Sequence, residues 1–155
     1  MTELFLPHIT IRKTVPEDIN GILEIENHQF THPWQRKQFT PELTHDIAYF
    51  YVAQENTTGT LAGYIIFWVI QDMIELHNIA VSAQFKKKGI GKKLMHFMLE
   101  TAQQQKVKEI FLEVRQSNTE AIPFYEAFHF SVVATRQNYY TEPTEDAIIY
   151  KLELP

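Results

Sequence analysis

The residues most suggestive of chemistry lie in one stretch, Asn78-Ile79-Ala80-Val81 through Lys86-Lys87-Lys88-Gly89-Ile90-Gly91 to Leu94. Ile79-Ala80-Val81 has the character of a strand end, and Ser82-Ala83-Gln84 that of a turn. Ile90, Leu94, Phe97 or Met98, and Ala102 then repeat at the spacing of one helical face. A helix N-terminus carries backbone N–H groups without internal partners and a partial positive charge. Glycine lets backbone approach a ligand closely, so strand, glycine turn and helix together suit a phosphate. Five lysines between Lys86 and Lys93 add charge there. The same residues also fit a turn that caps a surface helix beneath solvated lysines. A P-loop is excluded, because Lys92-Lys93 follows Gly91 where Lys-Ser/Thr is required; two glycines also fall short of the dinucleotide fingerprint.

Carboxylates and phenols supply the other candidates. Glu113 lies in Phe111-Leu112-Glu113-Val114-Arg115, a strand pattern that puts Arg115 on the same face as a possible ion-pair partner. Tyr125 follows Phe124 on the apolar face of a helix and on pattern alone reads as core. Asn118 offers side-chain hydrogen bonds at that helix's start. Glu75 and His77 share a strand face; they read as a solvated or salt-bridged pair, with Glu75 as the alternative to Glu113 for a base. The histidines show no metal-ligand spacing, so no metal is expected. Tyr139-Tyr140, with Arg136 and Asn138, precede a presumed loop containing Glu142, Glu145 and Asp146.

The elements that must position these residues follow in order. Ile9–Lys13 alternates as a first strand, and Pro16-Glu17-Asp18 opens a helix running to about His28. His32-Pro33-Trp34 breaks it. Residues 35–44 suggest two short helical pieces divided by Pro41. Strands are expected over 48–54, 61–71, 73–81, 109–115, 128–135 and 147–152, and a helix from a Ser117 cap to about Ala127. The order βααβββαβαββ is α+β, a mixed sheet flanked by helices.

At 155 residues, 45% apolar and 21% charged, one domain spanning 1–155 is expected. The net charge of −5 argues against nucleic-acid binding and suits a cationic substrate. Zero cysteines exclude disulfides and any Cys-linked intermediate, and accord with a reducing, cytoplasmic location. Met1–His8 lacks the regions of a signal peptide. The longest apolar run, 61–70, is too short to span a bilayer, so no membrane partner is expected.

The Asn78–Gly91 stretch resembles the acetyl-CoA-binding motif of the GNAT superfamily of N-acetyltransferases. Leu112-Glu113-Val114-Arg115 to Asn118, Ala121 to Phe130, Arg136 to Tyr140, Glu145 to Ile149 and His32-Pro33-Trp34 extend the likeness over nearly the whole chain. This set resembles the RimI-type branch, which acetylates the N-terminal alanine of a small-subunit ribosomal protein. The resemblance implies the acyl-CoA N-acyltransferase fold and acetyl-CoA as co-substrate. It implies Glu113 as general base and Tyr125 as general acid. Ile79, Ala80 and Val81 would meet the pantetheine arm through their backbone, and Asn118 through its side chain. Lys87, Lys88, Gly89, Ile90, Gly91 and Lys92 would hold the pyrophosphate. Three positions depart from the pattern: Lys86 replaces Arg or Gln, Gln137 a second Arg, and His129 a helix-ending glycine. A left-handed residue at 129 would be strained.

The expected activity is direct transfer, in a ternary complex, to a protein N-terminal amine. A small-amine acceptor (a polyamine or amino-sugar) and a non-catalytic acetyl-CoA-binding module are the alternatives. The sequence leaves the oligomeric state open, with a monomer as the default.

Overall fold

The computed structural model describes residues 8–155. The signal-peptide reading of Met1–His8 therefore lies almost wholly outside the described residues. Strands β1 (Ile9–Lys13), β2 (Ala48–Glu55), β3 (Leu61–Ile70), β4 (Met73–Val81), β5 (Glu109–Arg115), β6 (Ser131–Tyr140) and β7 (Glu145–Glu153) have the spatial order β1-β2-β3-β4-β5-β7-β6. The helices are α1 (Ile19–Gln29), α2 (Arg36–Phe39), α3 (Ile90–Gln104) and α4 (Ala121–Ala127). The element string matches the one expected from sequence, and β4 and β5 pair in parallel within an otherwise antiparallel set of registers.

The chain divides into two compact units. One runs up to Trp68 and resumes over Asn78–Thr101. Its antiparallel β1–β2–β3 ladder is joined by the apolar faces of α1 and α2: Ile19, Ile22, Ile25 and Phe39 bury with Phe50, Val52, Tyr64, Ile66 and Ala80. Of the face predicted for α3, this unit buries Ile90, Leu94 and Met98, with Met95 added; Ala102, also buried, belongs to the other unit. Gly63 is the tight point. A Cβ there would lie 2.6 Å from the Ala80 carbonyl oxygen and 3.2 Å from Ile90 Cγ2, so only glycine lets β3 pass so close.

The other unit takes Val69–His77 and Ala102–Pro155. Its core is Ile74, Leu76, Val107, Ile110, Leu112, Val114, Phe130, Ala147 and Tyr150. The parallel register of β4 on β5 runs from Met73↔Glu109 to Leu76↔Leu112.

Three local readings need correction. The start of α4 uses Asn118 in place of Ser117: Ala121 N donates to Asn118 Oδ1 at 3.0 Å, while Ser117 Oγ donates to Glu145 Oε1 at 3.1 Å. The strand expected from Phe128 starts at Ser131, because residues 128–130 terminate α4. His129 N donates to Glu126 O and Phe130 N to Tyr125 O, the paired bonds of a Schellman motif, with His129 at φ 72°. Finally, β6 extends to Tyr140 and β7 begins at Glu145, so Arg136–Tyr140, Glu145 and Asp146 belong to the ladder, and only 141–144 form the turn. Nine of the ten β6 residues are exposed, so the strand carries no buried/exposed alternation by which its limits could be recognised.

Candidate active site

In the first unit, β4 delivers Ile79, Ala80 and Val81 to a turn. Ser82 N donates to Ala62 O at 2.8 Å, fixing the end of β4 beside the start of β3. A short 3-10 turn over Ala83–Phe85 follows, then extended Lys86. Lys87 and Gly89 take positive φ, 62° and 81°, and fold the chain into α3. A Cβ on Gly89 would meet nothing within 4 Å, so conformation and not crowding demands glycine there, and the space above it is open. Lys93 N donates to Gly89 O at 3.0 Å as the helical ladder begins. The N–H groups of Ile90, Gly91 and Lys92 precede that bond, as the first turn of a helix requires. The Ile90 side chain is buried. Lys87, Lys88 and Lys92 are exposed, with Lys88 Nζ 5.9 Å from the Phe85 ring centroid. Glycine turn, helix start and exposed lysines thus lie together, an arrangement that can hold an anion.

The second unit gathers Glu113, Arg115, Tyr125, Arg136, Tyr139, Tyr140 and Glu145. Glu113 projects from β5 between buried Leu112 and Val114, with 35% of its side chain exposed. Its ion-pair partner is Arg136 Nη1 at 3.5 Å. Arg115, the partner that strand spacing suggested, instead bonds Glu145 Oε1 at 3.0 Å and sits 4.2 Å over the Tyr140 ring. Arg115 and Ser117 together hold the Glu145 carboxyl below its ordinary range. Burial raises the Tyr140 hydroxyl pKa and the Glu113 charge raises it further, while Arg115 opposes both.

Tyr125 stands on α4 with Phe124 and Phe130 at 5.6 and 6.1 Å between ring centroids. Burial pushes its hydroxyl pKa well above the ordinary phenol value, with Tyr140 adding to the shift. Tyr125 therefore keeps its proton at neutral pH. The Schellman end of α4 fixes this residue from both sides, since Tyr125 O accepts from Phe130 N while the two rings pack. Asn118 is committed to the cap of α4 through Oδ1.

Glu75 and His77 form a half-exposed pair, with His77 Nε2 3.4 Å from Glu75 Oε1. Among the described residues, no group of three or more histidine, aspartate or glutamate side chains is placed to hold a metal ion. No helix among them is long and apolar enough to cross a membrane.

Sequence reasoning missed Glu26 and Gly63. Glu26 is 2% exposed and accepts from Trp34 N, Asn78 Nδ2 and the Tyr64 hydroxyl. The available signal was an acid seven residues after Ile19, on the helical face that also carries Ile22.

The model of the "Acetyltransferase (GNAT) family" matches residues 19–130. The chain belongs to the GNAT family. This acetyltransferase is 32% identical over 147 residues to the [ribosomal protein bS18]-alanine N-acetyltransferase of Escherichia coli (strain K12), covering 94% of this chain and 97% of that one. A Bacillus subtilis (strain 168) relative is 34% identical over 139 residues, covering 90% and 91%. The crystal structure of the ribosomal-protein-S18-alanine N-acetyltransferase from Escherichia coli superposes with a TM-score of 0.85 at 31% identity over 94% of each chain. Arabidopsis thaliana Naa50, solved with the bisubstrate analogue CoA-Ac-MVNAL, shares the fold at a TM-score of 0.78 and 21% identity, covering 96% of this chain and 99% of that one. The expected fold and enzyme class thus both hold for this N-acetyltransferase.

Proposed function

We propose that the chain works as one acetyltransferase domain, 1–155, that moves the acetyl group of acetyl-CoA directly to the N-terminal alanine of a small-subunit ribosomal protein in the cytoplasm. The observation that carries this reading is the near full-length similarity to enzymes named for that reaction. The chemistry of the acceptor agrees with it. An α-amine has a pKa near 8, so roughly a tenth is neutral at pH 7, whereas a lysine amine is neutral in only about one molecule in a few thousand. A weak carboxylate base working through water is enough for the former and harder pressed for the latter.

In this reading the pyrophosphate of acetyl-CoA lies on the N–H groups of Gly89–Lys92, with Lys87, Lys88 and Lys92 neutralising charge. The pantetheine arm pairs with the backbone of Ile79, Ala80 and Val81. Asn118 adds a side-chain contact. The acceptor ammonium loses its proton to Glu113, directly or through water, and the amine attacks the thioester carbonyl. A backbone N–H of the β4 end stabilises the oxyanion. The carbon–sulfur bond then breaks and Tyr125 protonates the departing thiolate, while the second proton that the attached nitrogen sheds to become an amide returns through water to the Tyr125 phenolate. Burial raises the Tyr125 pKa, so the neutral phenol holds its proton until a thiolate forms beside it; the shift itself makes the phenol a weaker acid, and the role rests on the resemblance.

Thiol release from acetyl-CoA, measured in parallel with an alanine-initiated basic peptide and with spermidine, tests the proposal. Peptide turnover should fall about a hundredfold or more in Glu113→Gln and in Tyr125→Phe, with acetyl-CoA affinity kept. Turnover of spermidine alone would transfer the enzyme to small amines. Full activity in Glu113→Gln would remove Glu113 as base and turn attention to Glu75.

A further inference from the structure

Glu26 belongs to no step above, yet its buried carboxylate accepts three hydrogen bonds. Oε1 accepts from the Tyr64 hydroxyl and from Asn78 Nδ2 at 2.9 Å, and Oε2 accepts from Trp34 N at 2.8 Å. Asn78 Nδ2 also lies 3.1 Å from the Tyr64 hydroxyl. The donors come from three places in the chain: β3, β4 and the turn between α1 and α2. Tyr64 is fully buried, with its ring edge-on to Phe39 at 5.7 Å, and Trp34 packs on the same Phe39 at 5.2 Å.

Trp34 N, the Tyr64 hydroxyl and Asn78 Nδ2 all donate to this one carboxylate, and an apolar side chain of similar volume would leave them without it in the interior. What a leucine could not do is bind two sides at once. One oxygen of Glu26 holds Asn78, the residue immediately before Ile79-Ala80-Val81. The other holds the backbone of Trp34, which walls a concavity of about 520 Å³ together with Leu23, Asn27, Thr31 and His32. That concavity is open and mixes apolar and polar groups, a surface able to receive the first residues of a peptide.

We infer that Glu26 is a positioning residue: it locks the 31–35 turn to the Asn78–Val81 strand end, so that an acceptor chain seated against Trp34 is presented in register with the acetyl-bearing strand. This rests on the proposed function for the identity of the acceptor. It adds a residue on which acceptor recognition, and not cofactor binding, depends.

The test compares the native enzyme with Glu26→Gln and Glu26→Leu in steady-state assays on the alanine-initiated peptide. Glutamine keeps the shape but has a single acceptor oxygen, so it cannot serve both Trp34 N and the Tyr64–Asn78 pair. Leucine keeps the packing and serves neither. Both variants should raise peptide KM about tenfold or more, since small misplacements of a substrate-positioning element are costly. The KM for acetyl-CoA should stay within about twofold, while Leu should lower thermal stability, because Trp34 N, the Tyr64 hydroxyl and Asn78 Nδ2 lose their acceptor in the interior. A merely structural role predicts otherwise: kcat would fall in proportion to the folded fraction and peptide KM would not move. That result, or unchanged constants in both variants, overturns the inference. If the native enzyme turns over spermidine and not the peptide, the proposed acceptor fails on its own; the concavity then has no peptide to align, and an unchanged spermidine KM in both variants overturns the role of Glu26 as well.

Discussion

Replacing His129 by glycine should stabilise this acetyltransferase without touching its chemistry. His129 sits at φ 72°, the left-handed position that ends α4, where its Cβ approaches the following carbonyl. For an L-residue this conformation costs about 1–2 kcal/mol, and histidine falls toward the lower end because it is among the residues enriched there. Glycine removes the cost but loosens the unfolded chain by about 0.4–1 kcal/mol. The net gain is therefore about 0.5 kcal/mol, or roughly 1–2 °C in Tm for a chain this long. Nothing offsets it: His129 is exposed, and the bonds His129 N to Glu126 O and Phe130 N to Tyr125 O are backbone bonds that glycine retains. His129→Val widens the signal, because a β-branched residue is a true outlier at positive φ and should lower stability by about 1–2 kcal/mol further. Thermal unfolding followed by circular dichroism compares the three proteins. The expected order is Gly above His above Val, with kcat of the glycine variant unchanged because the Tyr125–Phe130 contact is kept. A valine variant as stable as the native protein would refute the reasoning. Lys106, at φ 57° with Val107 N bonded to Ala102 O and its own N–H to Gln103 O, ends α3 in the same way and should respond to glycine alike.

Two further outcomes follow from packing and from buried phenols. Gly63→Ala would place a Cβ 2.6 Å from the Ala80 carbonyl oxygen, so β4 must shift; a loss of about 1–3 kcal/mol in urea unfolding and a raised KM for acetyl-CoA are expected, and an unchanged KM would detach the Ala80 backbone from cofactor binding. Tyr64 and Tyr125 both have hydroxyl pKa values raised by burial, so the folded state keeps protons that the unfolded chain releases above about pH 10. Their contribution is fully present below that pH and is lost as pH rises through their folded values. Stability should decline in this alkaline range, and Tyr125→Phe should flatten the decline; the same slope in the variant would remove Tyr125 as its source.

The sequence by itself determined the order of elements, because that information is local. Proline and acids at 16–18, the 3.6-residue apolar spacing from Ile90 and the continuous apolar run of β3 each act within a few residues. The glycine turn was legible for the same reason: Gly89 takes φ 81°, a conformation for which residue type is a direct code. Resemblance singled out Glu113 and Tyr125, while their pattern alone allowed an ion pair and a core ring. Only the tertiary structure decided the partners. Glu113 pairs with Arg136 and Arg115 with Glu145 because the β5–β7–β6 ladder sets which side chains face each other, and strand register is a long-range property. It likewise made a glycine in mid-strand a contact point with Ala80, and turned an acid on a helix face into the buried junction of Trp34, Tyr64 and Asn78. Those contacts join residues up to 52 positions apart in the chain. No local pattern records such a pairing, because the free energy that selects it arises only when the elements pack.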